Sequence, residues 1–444
     1  MQHKKTLLIL IFGLILIYSC NIEKEGNIGQ TIITKWQGDK RSAVSITYDD
    51  GIINQFTVAK PIMDKFKMPG TFYIITGKID GSEKGKFIGR PKEEIIEETK
   101  YSKTNENNFF ERASLIAFTG TTEAIDFHSR AGSLYEAGNR LEAYIILDEG
   151  YSKIRRGKIK NLNEAIFHDN VIDTTTWQDL KNYAKEGHEI ASHTVTHARL
   201  AVLDEKNLLY ELEQSKKDIG HFLGEKYTFS AECPYGTENE RVMEYAHKLY
   251  PSLRNRMPEL YLEEINRGSD KKPEESKKEY VQWQRGPLTN TEMDKMKEWV
   301  DTILIHDNIW LVLVFHGVDG VGWEPKTGEE LEDYFKYIND RKEQIWTATF
   351  ADVTKYIRER KSTKIEIELK EERIKLHISS NLDPNVYDVP ITLKTYVPKS
   401  WKNVAINKDD VIYKTQTDTL GSYVTYSVMP NERDLVLEEA LQNN

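Results

Sequence analysis

The sequence has 444 residues, of which 39% are hydrophobic and 10% aromatic. This composition is typical of a globular protein rather than a disordered one, and the length suits two or three domains. The formal net charge of −10 argues against nucleic acid as a partner, because nucleic-acid-binding proteins present a basic face.

The N-terminal residues 1–20 predict a lipoprotein signal peptide rather than a part of the fold. A basic start precedes the apolar residues 7–17, which are too few to span a membrane, and Cys20 follows shortly after. The stretch LIYSC resembles a bacterial lipobox, in which Cys20 is lipidated and anchors the protein to a membrane of the cell envelope. The alternative is an ordinary cleaved signal peptide with a chance cysteine. The polar residues 21–40 predict a tether.

Strands and helices alternate over residues 41–361, which predicts βαβ units and a largely parallel sheet. Apolar, β-branched runs mark the strands, and amphipathic segments mark the helices between them. The main predicted strands are 42–48, 70–76, 188–193, 227–236 and 310–317, and the main predicted helices are 52–67, 174–187, 204–223 and 328–344.

Residues 77–176 break this alternation and predict a largely helical insertion. Within it, four small or apolar side chains fall at spacings that resemble one tetratricopeptide unit: Ala131, Leu134, Ala143 and Leu147, with Gly138 between them. One such repeat cannot bury its own apolar face, so we expect a helical hairpin on the main domain rather than a solenoid. A generic amphipathic hairpin is the alternative.

Residues 362–444 have a different pattern from the rest of the chain. Apolar and polar residues alternate between turns, as in VPITLKTYVP and GSYVTYSVMP. This pattern predicts a small antiparallel β-sandwich, which either binds carbohydrate or acts as a spacer.

Several predicted strands end in polar residues that can carry out chemistry. Because the carboxyl ends of parallel strands meet at one edge of a sheet or barrel, we expect these side chains to lie close together. In chain order they are Asp49 and Asp50, then His193 and His197, then the Pro-Tyr-Gly turn 234–236, and last His316.

The spacing of His193 and His197 allows both imidazoles to share an ion, although two solvent-facing histidines are the alternative. Asp-Asp-Gly at 49–51 is good turn chemistry by itself. One Asp with two His is also a ligand set that leaves positions open for water and substrate, which favours a divalent metal ion. Zinc is the default metal for such a set.

These segments resemble the metal-dependent polysaccharide deacetylases with a NodB homology domain, carbohydrate esterase family four. TYDDG at 47–51 is similar to the first family motif, HTVTHA at 193–198 to the second, and LVFHG at 313–317 to the fifth. The resemblance covers about residues 40–360 and implies an α/β fold, a deformed (β/α) barrel. It also implies a hydrolase that removes acetyl groups, chiefly N-acetyl groups, from an acetylated polysaccharide or oligosaccharide.

The resemblance implies a role for each residue of the set. The metal ligands would be one carboxylate and two imidazoles, Asp50, His193 and His197. The base that takes a proton from the attacking water would be Asp49, and the acid that protonates the departing sugar atom would be His316. The backbone N–H of Tyr235 would donate to the oxyanion.

Two positions depart from the family pattern. The third motif usually carries an Arg that steadies the base, whereas ECPYG has Glu232 there, so we expect Glu232 to point away and another cation to serve. Arg285, near Trp283, is the candidate for the fourth motif, and a surface arginine is the alternative. Trp323 either stacks on a sugar ring or packs in the core.

Two other functions remain open from the sequence alone. The same residues serve an esterase that removes O-acetyl groups. A non-catalytic glycan-binding lipoprotein with a vestigial site is the second alternative; the complete set of two Asp and three His argues against it, and Glu232 argues mildly for it.

Overall fold

The structure is a computed structural model that describes residues 27–160, 175–257, 259–370, 372–431 and 434–440. The predicted signal peptide with Cys20, the first part of the predicted tether and a stretch of the predicted insertion lie outside the described residues. Within the described ranges, no helix combines the length and the apolar character that crossing a membrane requires.

The first part of the chain contributes one large parallel sheet. Its strand order is β6-β5-β4-β3-β2-β9-β8-β7, with β10 beside β2, while β1 belongs elsewhere. β2 and β9 are buried along their whole length, as expected for parallel strands covered on both faces. The strands are β1 (Thr31–Ile33), β2 (Ser42–Tyr48), β3 (Gly70–Ile74), β4 (Glu189–Ser192), β5 (Ser230–Ala231), β6 (Ser252–Leu253), β7 (Leu262–Ile265), β8 (Tyr280–Arg285), β9 (Ile309–Phe315) and β10 (Ile345–Thr347).

The parallel sheet curls on itself. Gln284 of β8 donates a hydrogen bond from Nε2 to the carbonyl oxygen of Arg254, which directly follows β6, at 2.9 Å. In the strand order, β6 and β8 are separated by five other strands, so this contact requires a strongly curved sheet. The predicted deformed barrel is therefore confirmed.

Helices cover the outer face of this sheet and share a core with it. Many of them begin at a Thr, Asp or Asn whose side chain accepts a backbone N–H of the first turn, such as Asp204 and Thr349. A π-helical turn, Gln55–Ala59, leads into the first helix. The helices are α1 (Lys60–Lys65), α2 (Lys92–Glu98), α3 (Phe109–Ala117), α4 (Thr122–Glu136), α5 (Arg140–Arg155), α6 (Trp177–Lys185), α7 (Glu205–Phe222), α8 (Glu240–Leu249), α9 (Met293–Ile305), α10 (Gly328–Asn339) and α11 (Phe350–Ser362).

Helices α2 to α5 lie between β3 and α6, where the sequence predicts the insertion. α4 and α5 pack against each other, and Gly138 (φ +85°) lies in the turn that joins them. Ala131, Ala143 and Leu147 are fully buried in a core that the insertion helices share. The hairpin buries its apolar face against α3 and the main domain.

The last part of the chain forms two antiparallel sheets with orders β1-β13-β17-β16 and β11-β12-β18-β14-β15. Leu376 and Leu437 of one sheet and Leu393 and Val424 of the other belong to one buried core, so the predicted antiparallel β-sandwich is confirmed. Its strands are β11 (Lys364–Lys370), β12 (Arg373–Ser379), β13 (Ile391–Val397), β14 (Asn403–Ile406), β15 (Ile412–Lys414), β16 (Gln416–Thr417), β17 (Ser422–Val428) and β18 (Leu435–Glu439).

The described part of the predicted tether, residues 27–40, is instead an integral part of the structure. β1 pairs with β13 of the sandwich. Trp36 is fully buried, and its indole N–H donates to the carbonyl oxygen of Asp307 at 2.8 Å. The hydroxyl of Tyr356, in α11, donates to the carbonyl oxygen of Thr34 at 3.0 Å. The tether prediction is wrong here because a single buried tryptophan and a three-residue strand give almost no periodic signal.

Candidate active site

A cavity of about 610 Å³ opens at the carboxyl ends of the parallel strands. Its floor is formed by side chains that directly follow strands, and its rim by side chains on the loops beyond. The structure brings the predicted residues Asp49, Asp50, His193, His197, Tyr235 and His316 together around this cavity, together with Trp323. The floor residues that directly follow strands include Asp49 after β2, His193 after β4, Glu232 after β5, Arg254 after β6 and His316 after β9.

The adjacent carboxylates of Asp49 and Asp50 have different partners. Asp49 still belongs to the sheet, because its N–H donates to the carbonyl oxygen of Phe315 at 3.0 Å. The chain then turns sharply, with φ values of +78° at Asp50 and +68° at Gly51. A left-handed conformation is uncommon for a residue other than glycine, although Asp tolerates it better than most. The turn separates the two carboxylates and lets each serve a different purpose.

Asp50, His193 and His197 form a group that suits a divalent metal ion. Oδ1 of Asp50 lies 3.4 Å from Nε2 of His197 and 3.8 Å from Nε2 of His193. An ion with tetrahedral bonds of 2.0–2.1 Å spaces its donor atoms by about 3.3 Å, so these atoms need little movement to bind one. The three ligand atoms all lie within 4.8 Å of one another.

The protonation and orientation of the imidazoles also suit a metal. Nδ1 of His193 lies 3.0 Å from the carbonyl oxygen of Glu232, which accepts a hydrogen bond from the Nδ1–H group and leaves Nε2 facing Asp50. Burial, aided by neighbouring His193, lowers the pKa of His197 to about 3. His197 is therefore neutral at neutral pH, which is the form that binds metal. The donor set fits Zn²⁺, among other divalent ions.

Glu211 of α7 holds the loop that carries the two histidines. Its Oε2 accepts the backbone N–H groups of Val195 at 2.8 Å and Thr196 at 2.9 Å, and its Oε1 accepts the Thr196 hydroxyl at 2.6 Å. The loop needs this support because His197 adopts a left-handed conformation, with φ +65°. Sequence reasoning missed Glu211, although its sequence position offered a signal: a carboxylate beside Leu212, on the apolar stripe of an amphipathic helix.

Arg254 binds the carboxylate of Asp49 through two hydrogen bonds. Nη1 donates to Oδ1 at 2.6 Å and Nη2 to Oδ2 at 2.7 Å, while the Asp49 side chain lies almost wholly buried. Burial alone would raise the pKa of Asp49, but the charge of Arg254 outweighs it and holds this pKa well below the usual range. Sequence reasoning missed Arg254 because a strand of two residues, β6, leaves no recognisable pattern.

Glu232 does not point away from the site, so that prediction is wrong. It is 4% exposed, and its Oε1 lies 3.0 Å from Nη2 of Arg254. Nδ2 of Asn255 donates to both of its carboxylate oxygens, at 2.8 and 2.9 Å. Burial raises the pKa of Glu232 to about 8 although Arg254 opposes the rise. The additional cation that the sequence required is Arg254, which lies between Asp49 and Glu232.

His316 and Trp323 lie together on another side of the cavity. Nε2 of His316 is 3.3 Å from Oδ2 of Asp49, and its ring meets Trp323 edge-on with centroids 4.6 Å apart. Burial lowers the pKa of His316, while the nearby Asp49 and Asp50 raise it, and the net shift is downward. Trp323 is 48% exposed, which favours a role at the cavity mouth over core packing.

Tyr235 lies on the rim next to the metal group. Its backbone adopts φ +63° in the Pro-Tyr-Gly turn. Its ring packs against His197, with centroids 4.7 Å apart, and the guanidinium of Arg199 lies 4.5 Å from the ring centroid. The Pro-Tyr-Gly turn therefore packs against the loop that carries His193 and His197.

Arg285 does not line the cavity. Its Nη1 donates to the carbonyl oxygen of Gln284 at 3.0 Å, and its guanidinium lies over the ring of Trp283 at 4.6 Å. Successive side chains of a strand point to opposite faces, and in β8 it is Gln284 that reaches the cavity. Arg285 therefore lies outside the group of cavity residues that the sequence analysis predicted it would join.

Comparisons with known proteins agree with this site. Residues 157–250 match the family model described as "Polysaccharide deacetylase". This match includes both histidines of the metal group and Glu232.

A curated relative is a gellan lyase from a Bacillus species, 26% identical over 249 residues, or 52% of this chain and 10% of that protein. The chain thus spans about a tenth of the length of this relative. Two solved structures are also similar. PdaA of Bacillus subtilis, a family 4 carbohydrate esterase, is 12% identical with a TM-score of 0.33, covering 73% of this chain and 83% of PdaA.

The second is the Xyl-CE4 domain of a multidomain xylanase from the hindgut metagenome of Trinervitermes trinervoides. It is 13% identical with a TM-score of 0.32, covering 70% of this chain and 88% of that domain. At these low scores neither likeness carries an argument, and the fold follows from the strand order given above.

Proposed function

We propose that this protein is a metal-dependent hydrolase that removes acetyl groups, chiefly N-acetyl groups, from a polysaccharide. One observation carries the proposal: the ligand group of Asp50, His193 and His197 lies beside an ionised Asp49 in one cavity. The match of residues 157–250 to the polysaccharide deacetylase family model supports the substrate class.

Asp50, His193 and His197 would hold the metal ion. A divalent cation bound there supplies positive charge that acidifies the attacking water and polarises the acetyl carbonyl group. One carboxylate and two neutral imidazoles are ligands that suit Zn²⁺ and leave positions open for water and substrate.

Asp49 takes the proton of the attacking water. Because Arg254 keeps its pKa low, Asp49 is ionised and ready to accept a proton over the whole neutral range. The same low pKa makes Asp49 a weak base, so it depends on a water that is more acidic than bulk water. The two hydrogen bonds from Arg254 fix the Asp49 carboxylate in one orientation and thus lower the entropic cost of the proton transfer.

His316 and Tyr235 serve the departing sugar and the oxyanion. The 3.3 Å separation of His316 Nε2 and Asp49 Oδ2 lets the proton taken from water pass to the imidazole. His316 then gives it to the sugar nitrogen or oxygen as the bond to the acetyl carbon breaks, which an amine leaving group requires. The backbone N–H of Tyr235 donates to the oxyanion of the tetrahedral intermediate.

The test is acetate release by the purified protein with one equivalent of Zn²⁺. The panel contains fragments of chitin, peptidoglycan, exopolysaccharide and acetylxylan, so that N-acetyl and O-acetyl groups are compared. We expect release from an N-acetylated fragment, loss of activity with a chelator and recovery with Zn²⁺. His316→Ala should keep the metal and lose turnover. Release from acetylxylan alone would instead establish an O-acetyl esterase, and no release by the metal-loaded protein would refute the proposal.

We also propose that lipidation of Cys20 anchors the enzyme in the cell envelope. The support is the lipobox-like LIYSC stretch alone. Cys20→Ser should move the protein from the detergent phase to the aqueous phase in detergent partitioning, while Cys233→Ser, which changes a buried free cysteine, should not. Equal partitioning of the Cys20 variant and the wild type would contradict the anchor.

A further inference from the structure

Three arginines line the cavity, and Arg267 differs from the other two. Arg254 is paired with Asp49 and Glu232, and Arg199 with Glu136 at 2.7 Å. The guanidinium of Arg267 has no carboxylate oxygen within 4.0 Å in the part of the chain that the structure describes. Arg267 lies two residues beyond the end of β7, on the rim.

The position of the Arg267 side chain is fixed by two neighbours. A Cβ atom at Gly286 would lie 2.6 Å from Cδ and 3.3 Å from Nη1 of Arg267, so only glycine leaves room for this side chain. On another side, the guanidinium lies 5.1 Å from the ring centroid of Trp323. Because Trp323 also contacts His316, Arg267 lies on the side of the cavity where the departing sugar would be.

The acidic side chains of the cavity wall all have partners other than Arg267. The carboxylate of Asp49 is neutralised by Arg254, and that of Asp50 belongs to the metal group. Of the two remaining acids on the wall, Glu232 is paired with Arg254, and Glu238 accepts a hydrogen bond from the amide of Asn255 at 2.6 Å. The neighbouring Glu324 accepts the backbone N–H of Thr289 at 2.6 Å. The guanidinium of Arg267 therefore faces the cavity without a carboxylate partner. A planar guanidinium binds a carboxylate through two parallel hydrogen bonds.

We propose that Arg267, held by Trp323 and Gly286, binds a carboxylate on the sugar next to the acetylated one. This inference rests on the proposed function and narrows its substrate class to acetylated polysaccharides that carry carboxylates. The carboxylate belongs either to a uronic acid ring or to an acidic ether substituent of the sugar; both present the same planar anion.

The test uses acetylated oligosaccharides in matched pairs, each acid against its own methyl ester. One pair carries a uronic acid and one carries an acidic ether substituent, which distinguishes the two sources. The test variant is Arg267→Gln. The control is Arg341→Gln, which removes a guanidinium that stacks on Tyr337 outside the cavity.

We expect wild type to prefer one acid over its methyl ester in kcat/KM, and Arg267→Gln to reduce this preference about 10- to 100-fold, mainly through KM. Arg341→Gln should leave the preference unchanged. Equal turnover of acid and ester by wild type in both pairs would overturn the proposal. Equal effects of the two variants would also overturn it.

A binding measurement separates this inference from the proposed function. Calorimetric titration of the zinc-loaded protein with a non-acetylated oligouronate, and separately with an oligosaccharide bearing the acidic ether, needs no turnover. Binding of either ligand that is lost in Arg267→Gln and kept in Arg341→Gln supports the subsite even if no acetate is ever released. Failure of both ligands to bind the wild type would overturn the subsite while leaving the deacetylase proposal untouched. Melting temperatures of both variants check that each is folded.

Discussion

The floor and the rim of the cavity are built by different means. Floor residues such as Asp49, His193 and His316 directly follow strands, so the hydrogen-bond ladder of the sheet fixes where each begins. Rim residues such as Arg267 and Trp323 stand on loops and are held by side-chain contacts. We therefore expect the floor to carry the bond-breaking chemistry and the rim to select the substrate. Changes in the floor should therefore cost more activity than changes in the rim.

The largest effect is expected for Asp50→Ala. This change removes the single carboxylate of the ligand group, so bound zinc and activity should be lost together, with kcat/KM falling at least about 1,000-fold. Metal analysis of the purified variant and acetate release check the result.

A second cluster of similar composition supplies the control. Asp64, Glu186 and His188 also lie within metal-binding distance of one another, but Lys60 is paired with both carboxylates. Asp64→Ala should therefore keep the bound zinc. Retention of one equivalent of zinc by Asp50→Ala would contradict the assignment of Asp50 as a metal ligand.

The next largest effect is expected for Arg254→Met. It should lower kcat about 100- to 1,000-fold, because Asp49 loses its orientation and its ionised form is no longer favoured. Arg254 holds the pKa of Asp49 down, so its removal raises that pKa and moves the acid limb of the kcat–pH profile to higher pH. Steady-state kinetics over a pH series measure both changes.

The same variant separates stability from catalysis. Removing Arg254 leaves two buried carboxyl groups without their cation, which should cost roughly 3–5 kcal/mol of unfolding free energy. Arg254→Met combined with Glu232→Gln should regain part of this stability but none of the activity. Glu232→Gln alone keeps the pairing of Arg254 with Asp49 and should lower kcat less than about 10-fold. An acid limb that does not move in Arg254→Met would show that Asp49 is not the base.

Glu211→Gln should have an intermediate effect, because Glu211 acts through the ligand loop. The amide cannot accept all the N–H and O–H groups that the carboxylate accepts, so the loop should loosen and zinc affinity should fall about 10- to 100-fold. Competition with a zinc chelator measures this affinity. Glu213→Gln, on the exposed face of the same helix, is the control. Equal affinities of the two variants would remove Glu211 from any positioning role.

The positions of the floor residues were predictable where long strands lead into the floor. Asp49, His193 and His316 follow strands or motifs that are visible in the sequence, and the curved parallel sheet was predictable from them. Arg254 escaped because only two residues of strand precede it. Arg285, the candidate for the fourth motif, lies outside the cavity because neighbouring residues of a strand point to opposite faces and Gln284 is the one that reaches it.

The rim was less predictable because it depends on contacts distant in sequence. Arg199 shows this most clearly. The insertion supports it through Glu136 at 2.7 Å and through His128, whose Nε2 accepts the Arg199 backbone N–H at 3.0 Å. A Cβ atom at Gly132 would lie 2.4 Å from Cδ of Arg199, so the helix α4 needs glycine there. Arg199 in turn packs on Tyr235.

The smallest effect on activity is expected at this joint between the insertion and the barrel, where the change is in stability and depends on pH. Nδ1 of buried His128 donates to the carbonyl oxygen of Ala113 at 2.9 Å, so Nε2 must remain unprotonated to accept the Arg199 N–H. Burial lowers the pKa of His128 from 6.5 to about 4. The folded protein therefore binds fewer protons than the unfolded chain between these values, and stability must fall as the pH falls through this window.

Above pH 6.5 the contribution of His128 is complete, and near pH 4 and below it is lost, a change of roughly 3 kcal/mol in unfolding free energy. His128→Gln can still accept the Arg199 N–H but does not titrate. The stability advantage of the wild type over this variant should therefore shrink from pH 7 to pH 4 in denaturant unfolding, whereas the difference between wild type and the exposed-site control His221→Gln should stay constant. A constant advantage over His128→Gln would show that the joint does not depend on the neutral imidazole, and would leave Glu136 and Gly132 as its supports.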